Sequence, residues 1–280
     1  MALRITTLTE NTAGGIDIIA EWGLSFLVES DGAKVLFDTG RSISAPHNAD
    51  SLGINLGEIN KIALSHGHVD HTGGLREVLQ RMKKEIEITA HPDVWAAKHR
   101  HWTDNSRPDR FNGIPFQRRE LESLGAIFNL TREPVRMTDT IMTTGEIPMT
   151  NDFEDIPSSM VVEDGGRIQP DKLMDDLALV ISTASGLVIL LGCAHHGIVN
   201  TLYHAQQLTG EKKIRAVIGG GHLIDTSDER IWRTVSALKD LEVERIALCH
   251  CTGLRAIGIL STEFGDRFTF NTAGSTIEFP

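Results

Sequence analysis

Cysteine is scarce in this chain: 280 residues carry three, Cys193, Cys249 and Cys251. An odd, sparse count excludes a disulfide scaffold and fits a reducing compartment, so the cytoplasm is the expected location. Long apolar runs are also missing. None reaches the roughly 20 residues that span a bilayer, and the start Met1-Ala2-Leu3-Arg4-Ile5-Thr6-Thr7 has no apolar signal-peptide core. Basic charge is in deficit, with 27 Lys and Arg against 38 Asp and Glu and a net charge of −11. The resulting field repels nucleic acid and anionic lipid, so neither is an expected partner. Internal repeats and low-complexity linkers are absent too, and nothing divides residues 1–280 into two domains. The hydrophobic fraction of 40% is that of an ordinary globular protein with a substantial core.

What remains reads as an α/β chain. Extended runs at 3–8, 24–29 and 34–37 come first, the last two joined by the turn Ser30-Asp31-Gly32. Lys61-Ile62-Ala63-Leu64-Ser65 leads into a histidine-rich loop, and Gly73-Gly74-Leu75 opens a helix to about Lys83. A strand at 86–90 and a helix at 92–99 are expected next. A second hairpin comes at 177–183 and 187–191, then a helix after Gly197 and a strand at 214–218. Ile231, Val235, Leu238 and Leu241 recur at helical spacing, with Asp228 and Glu229 in the first turn. Strands at 245–248 and 267–279 close the pattern. Residues 98–160 form a less regular insertion.

Seven of the twelve histidines fall in four short segments, each just beyond a strand-like run. In Ser65-His66-Gly67-His68-Val69-Asp70-His71, the first two histidines are two residues apart, so an extended chain sends both to one side. They can meet one cation, while Asp70 and His71 address a second as the chain turns. Imidazole and carboxylate suit zinc, manganese or iron, with two divalent ions, zinc first, the expected cofactor. The other segments are Gly192-Cys193-Ala194-His195-His196, Gly219-Gly220-Gly221-His222 and Cys249-His250-Cys251. Strand ends are where α/β folds assemble sites. Cys249-His250-Cys251 lacks the paired CxxC spacing of a structural zinc site. Cys193 reads as a thiolate ligand, a redox residue or a small buried hydrophobe. His196 reads as facing solvent or hydrogen-bonding behind a ligand, and His47, His91, His99, His101 and His204 have no partner pattern.

The histidine loop resembles the HxHxDH signature of the metallo-β-lactamase superfamily. Glu21-Trp22-Gly23-Leu24-Ser25-Phe26, Leu36-Phe37-Asp38-Thr39-Gly40, Gly192-Cys193-Ala194-His195, Gly221-His222-Leu223 and His250-Cys251-Thr252-Gly253 are similar to its branch containing dihydropterin–aminobenzene ribosyl phosphate synthases and related metal-dependent hydrolases. The resemblance implies an αββα sandwich of two mixed sheets flanked by helices. It also implies one metal on His66, His68 and His195, and a second on Asp70, His71 and His250. The family's bridging aspartate is missing; Gly192-Cys193 stands in the comparable setting. Glu146, His222 and Cys193 are candidate extra ligands or substrate contacts, and Asp38 is a candidate anchor behind a ligand histidine.

Three functions are expected on these grounds. The first is hydrolysis of an ester or phosphoester of a small molecule by metal-activated water, with Asp70 holding its metal and orienting that water. The second is a transferase condensing a pterin pyrophosphate with an aminobenzene ribosyl phosphate; Lys98, Arg100, Arg107, Arg110, Arg118 and Arg119 read first as a solvated, salt-bridged surface segment and alternatively as phosphate contacts for it. The third is a non-catalytic or redox metal-binding protein.

Overall fold

The computed structural model describes residues 3–102 and 107–280. In chain order, β1 (Leu3–Thr9), β2 (Ser25–Ser30) and β3 (Ala33–Phe37) form a meander, followed by α1 (Ser44–Ser51). Then come β4 (Lys61–Ala63), α2 (Val69–Thr72), α3 (Leu75–Met82) and β5 (Ile86–Ala90). The middle of the chain supplies β6 (Ala97–Arg100), β7 (Arg110–Phe111), α4 (Arg118–Ser123), β8 (Ala126–Leu130), β9 (Ile141–Thr143), β10 (Met160–Asp164) and β11 (Arg167–Pro170). The last part gives β12 (Ala178–Thr183), β13 (Gly186–Leu191), α5 (Ile198–Thr209), β14 (Ile214–Gly220), α6 (Asp228–Asp240), β15 (Arg245–Cys249), α7 (Leu254–Phe264) and β16 (Thr276–Phe279).

Two mixed sheets dominate, ordered β16-β1-β2-β3-β4-β5-β8 and β15-β14-β13-β12-β9. Their apolar alternation explains the layering. In β13, Val188 and Leu190 join Phe26, Val28 and Phe37 of the first sheet in a core between the sheets. Leu187, Ile189 and Leu191 face the other way, onto Leu202, Ile231, Val235 and Leu238 of α5 and α6. The outer face of the first sheet packs Leu36 and Ile62 against Leu75, Val78 and Leu79 of α3. Strands covered on both faces are continuously apolar, which is why 187–191 reads as an unbroken run. The result is the expected αββα sandwich.

Several local expectations change. Pro92 starts a short 3₁₀ turn (Pro92–Trp95), and strand β6 replaces the expected helix over 92–99. The tail is a strand only over Thr276–Phe279, and α7 was not expected. Residues 98–160 are partly regular: β8 extends the first sheet and β9 the second, while β6 and β7 with β10 and β11 form a small third sheet. Among the described residues, no helix is long and apolar enough to cross a membrane.

The topology places the histidine segments together. β3 runs parallel to β4, and β13, β14 and β15 run parallel to one another. Their carboxyl ends carry Asp38, the His66 loop, Cys193-Ala194-His195, His222 and His250. Four non-glycine residues at these ends, Asp38, Ala194, His222 and His250, have φ of +61°, +50°, +44° and +55°. Such left-handed backbone is costly for a residue with a Cβ and clusters at functional sites.

Candidate metal centre

His66 Nε2, His68 Nδ1 and His195 Nε2 converge in a triangle with edges of 2.9, 3.2 and 3.2 Å. Tetrahedral zinc with bonds of about 2.0–2.1 Å would set its nitrogens ~3.3 Å apart. Burial, reinforced by neighbouring histidines and Lys98, holds His66 and His195 well below the usual imidazole range. It does the same to His68, where Asp70 opposes it. All three rings are therefore neutral. The His66 tautomer follows from its partners. Ser65 Oγ donates to Asp38 Oδ2 at 2.7 Å, so it accepts from His66 Nδ1 at 2.8 Å, leaving the Nε2 lone pair turned into the triangle. Gly67 is required between the two histidines, because a Cβ there would lie 2.2 Å from the carbonyl oxygen of Val94.

The second group is Asp70, His71 and His250, all buried. His71 Nδ1 donates to Asp38 Oδ2 at 2.7 Å, which frees His71 Nε2 to face Cys193 Sγ at 3.1 Å. Asn11 Oδ1 accepts from His250 Nδ1 at 2.9 Å, and Trp22 Nε1 donates to Asp70 Oδ2 at 3.1 Å. Asp70 Oδ1 and His250 Nε2 are buried without a hydrogen-bond partner. Orphaned donor-set atoms beside a triangle of neutral imidazoles fit cations rather than the protein's own hydrogen bonds. Burial pushes the Asp70 carboxyl up, but the facing His250 and His71 hold it below the usual carboxylate range. It is therefore ionised.

Cys193 lies between the two groups. It clusters with His66 and His71, with His195 and His222, and with His250 and Cys251. Its sulfur is thus common to both groups. Burial pushes its thiol up in the metal-free protein, and a bound cation would draw the proton off. His222 reaches the edge of the site, its ring 4.3 Å from that of His195. Asp38, the expected anchor, supports His71 directly and His66 through Ser65, an arrangement that orients metal-ligating rings.

Some expected roles fall away. Glu146 does not join either group; its carboxylate is taken by His91 Nε2 at 2.9 Å and Arg132 Nη1 at 2.6 Å. Lys98 is buried and ion-paired with Asp171 and Asp175, both at 2.8 Å, so it offers no exposed phosphate contact. Arg118 pairs with Glu122. His196 is buried, with both ring nitrogens facing carbonyl oxygens, of Ile147 and Lys172. Sequence reasoning missed Asn11, whose isolated polar side chain carries no pattern. Trp22 lay within a segment of the family resemblance, but no contact to Asp70 was legible.

Burial opposes charge on His71, yet Asp38 and Asp70 outweigh it and raise its pKa to about 9 in the metal-free protein. This pKa lies above the unfolded value of about 6.5. The stabilisation is therefore full below pH ~6.5 and lost as pH rises through 9. A metal must displace that proton. Calorimetric titrations in buffers of different ionisation enthalpy should show a proton released as the Asp70, His71 and His250 group takes its metal, with that affinity rising between pH 6.5 and 9. Binding independent of pH over that window would contradict this assignment.

The chain's relatives agree with the geometry. The family model described as Metallo-beta-lactamase superfamily matches residues 23–250. The 7,8-dihydropterin-6-methyl-4-(beta-D-ribofuranosyl)-aminobenzene-5'-phosphate synthase of Methanocaldococcus jannaschii is 38% identical, over 99% of this chain and 97% of that protein. The crystal structure of Tm1679, a metal-dependent hydrolase of the beta-lactamase superfamily, superposes with a TM-score of 0.85 at 29% identity and covers 98% of each chain. A fold, a signature loop and a buried ligand cluster thus coincide, and the chain belongs to the metallo-β-lactamase superfamily.

Proposed function

We propose that this chain is a metal-dependent hydrolase of a phosphorylated small molecule, with two divalent ions, zinc first, held by His66, His68 and His195 and by Asp70, His71 and His250. Such ions supply Lewis acidity that activates water and offsets negative charge on a reacting phosphate or ester. The observation carrying this reading is the convergence of three neutral imidazole nitrogens beside the ionised Asp70 group, with Cys193 common to both sides. Asp38 and Ser65 fix the ring tautomers, and Asp70 holds its position against Trp22 and His250.

The substrate's phosphate has a place to go. His222 forms part of the wall of a cavity of about 500 Å³ that Arg100, Ser158, Ser159 and Arg230 also line. Arg230 is buried, held at Nη1 by Asp155, and its Nε has no partner. Arg100 is paired with the mostly exposed Asp225. An incoming phosphate can replace either carboxylate in a charge-assisted contact. Arg230→Gln should raise KM for a phosphorylated ester about 10-fold, leave kcat within about 2-fold and spare the KM of an uncharged ester. Equal effects on both esters would remove Arg230 from phosphate recognition.

A second reading, transfer rather than hydrolysis, is favoured by the near full-length similarity to a synthase. A separate cavity of about 380 Å³ beside His250, walled by Trp22, Ile224, Leu254 and Phe270, suits a flat aromatic group. Metal-loaded protein should be offered phosphomonoesters, phosphodiesters, carboxylic esters and pyrophosphate, then a pterin methyl pyrophosphate together with an aminobenzene ribosyl phosphate. Chelator-sensitive release of phosphate or alcohol supports the hydrolase. A condensed product formed only with both substrates selects the transferase. Metal uptake with no turnover on any of them selects the third expectation, a metal-binding protein without this chemistry.

A further inference from the structure

The three nitrogens of the His66, His68 and His195 triangle come from two different sheets. His66 and His68 follow β4 of the first sheet, and His195 follows β13 of the second. Packing between sheets tolerates small shifts, whereas a tetrahedral site tolerates only a few tenths of an ångström in its ligand bonds. Something must fix the separation of the two loops, and a link between them lies just before β12.

There the consecutive residues Asp175 and Asp176 divide their carboxylates between the loops. Gly67 N, between the two histidines of the first loop, donates to Asp175 Oδ2 at 2.8 Å. His196 N, next to His195 in the second loop, donates to Asp176 Oδ2 at 2.9 Å. The other oxygen of Asp175 takes Lys98 Nζ at 2.8 Å, and the same ammonium reaches Asp171 Oδ2 at 2.8 Å. The main chain reinforces the bridge, since Leu177 N donates to the carbonyl of Ser65 at 2.9 Å. Asp175, Asp176 and Lys98 are each 1% exposed. Burying these charges is expensive and gives little net stability compared with apolar residues of similar size. Their positions are explained by what they hold.

We infer that Asp175-Asp176 is a positioning clamp that sets the spacing of the two histidine loops, with Lys98 neutralising and orienting its first carboxylate. The inference rests on reading His66, His68 and His195 as metal ligands. Neither aspartate is a ligand itself. The clamp acts through the backbone amides of Gly67 and His196, and it explains why the lysine of β6 is withdrawn from solvent.

The test uses the whole chain in two states. In D175N, an amide oxygen that stays on Lys98 leaves an Nδ2 that cannot accept from Gly67 N. Cobalt(II) titration, followed by ligand-field absorption, should then show binding about 10-fold weaker or more, with altered bands. In K98M/D175N the amide oxygen is free to turn to Gly67, so most of the affinity should return. A purely electrostatic role would be rescued equally in K98M/D175A, which restores the charge balance but offers Gly67 N no acceptor; the clamp requires that this variant stay weak, and equal rescue in it would overturn the clamp. In the metal-free protein, amide hydrogen exchange at residues 66–68 and 195–197 should be faster in D175N and slow again in the double variant.

Wild-type affinity and exchange in D175N would overturn the clamp, as would a double variant no better than the single one. If wild-type protein binds no cobalt, the metal reading of the triangle fails by itself. Exchange then decides the clamp: faster exchange in both loops of D175N supports it, and unchanged exchange refutes it.

Discussion

Alanine at both His66 and His68 is expected to abolish metal binding at the triangle and reduce turnover about 1,000-fold or more, the scale of losing several kcal/mol of charge stabilisation by a metal. The two rings supply two of the three converging nitrogens, and His195 alone cannot hold a cation there. The fold should survive, because both side chains lie at the edge of the sandwich rather than among the apolar residues between its sheets. Removing two close neutral imidazoles also relieves lone-pair crowding in the metal-free protein. Metal content by atomic emission, turnover, and far-UV circular dichroism together check this. A variant retaining both metal and activity would end the metal-enzyme reading.

Asp38→Ala should have the next largest effect, although Asp38 touches no substrate. One carboxylate oxygen receives His71 Nδ1 and Ser65 Oγ, the other Ser65 N, all at 2.7 Å. Its loss frees His71 to rotate and removes the acceptor that makes Ser65 an acceptor for His66. Both metal groups lose an oriented ring at once, so metal affinity should fall about 10- to 100-fold. Stability of the metal-free protein should also fall, by about 3–5 kcal/mol, as for a buried charged pair stripped of one partner. Asp38→Asn should recover part of the stability but little of the metal affinity, because an amide offers one acceptor where the carboxylate serves three donors through two. Chemical denaturation and chelator competition measure the two quantities separately. Unchanged metal affinity in both variants would show that the rings are held in place by other contacts.

Much of this centre was legible because its chemistry is concentrated in short stretches. His66, His68, Asp70 and His71 lie within six residues, and His195, His222 and His250 each sit one to four residues beyond an apolar strand. Such spacing needs no tertiary knowledge to suggest a shared cation. The strands themselves were legible where both faces are buried, as at 186–191, or where a turn such as Asp31-Gly32 separates them. Lys98 and Glu146 were misread for one reason: a charged residue looks alike in sequence whether it meets solvent, substrate or a buried partner. Lys98 meets Asp171 and Asp175 across more than seventy residues of chain. Pro92 was a clear break signal, but strand β6 beyond it depends on pairing with β10, some sixty residues later.

The sequence by itself determined the fold class, the HxHxDH loop, the strand-end histidines and the lack of an aspartate beside Gly192, because each is a local pattern of residue type and spacing. Only the tertiary structure decided that Cys193 stands between the two histidine-containing groups, that Asp38 serves His71 and, through Ser65, His66, and that Asp175 and Asp176 hydrogen-bond to loops from two sheets. Those relations depend on directions and on distances of about 3 Å between residues far apart in the chain. Packing fixes such quantities, and no one-dimensional pattern encodes them.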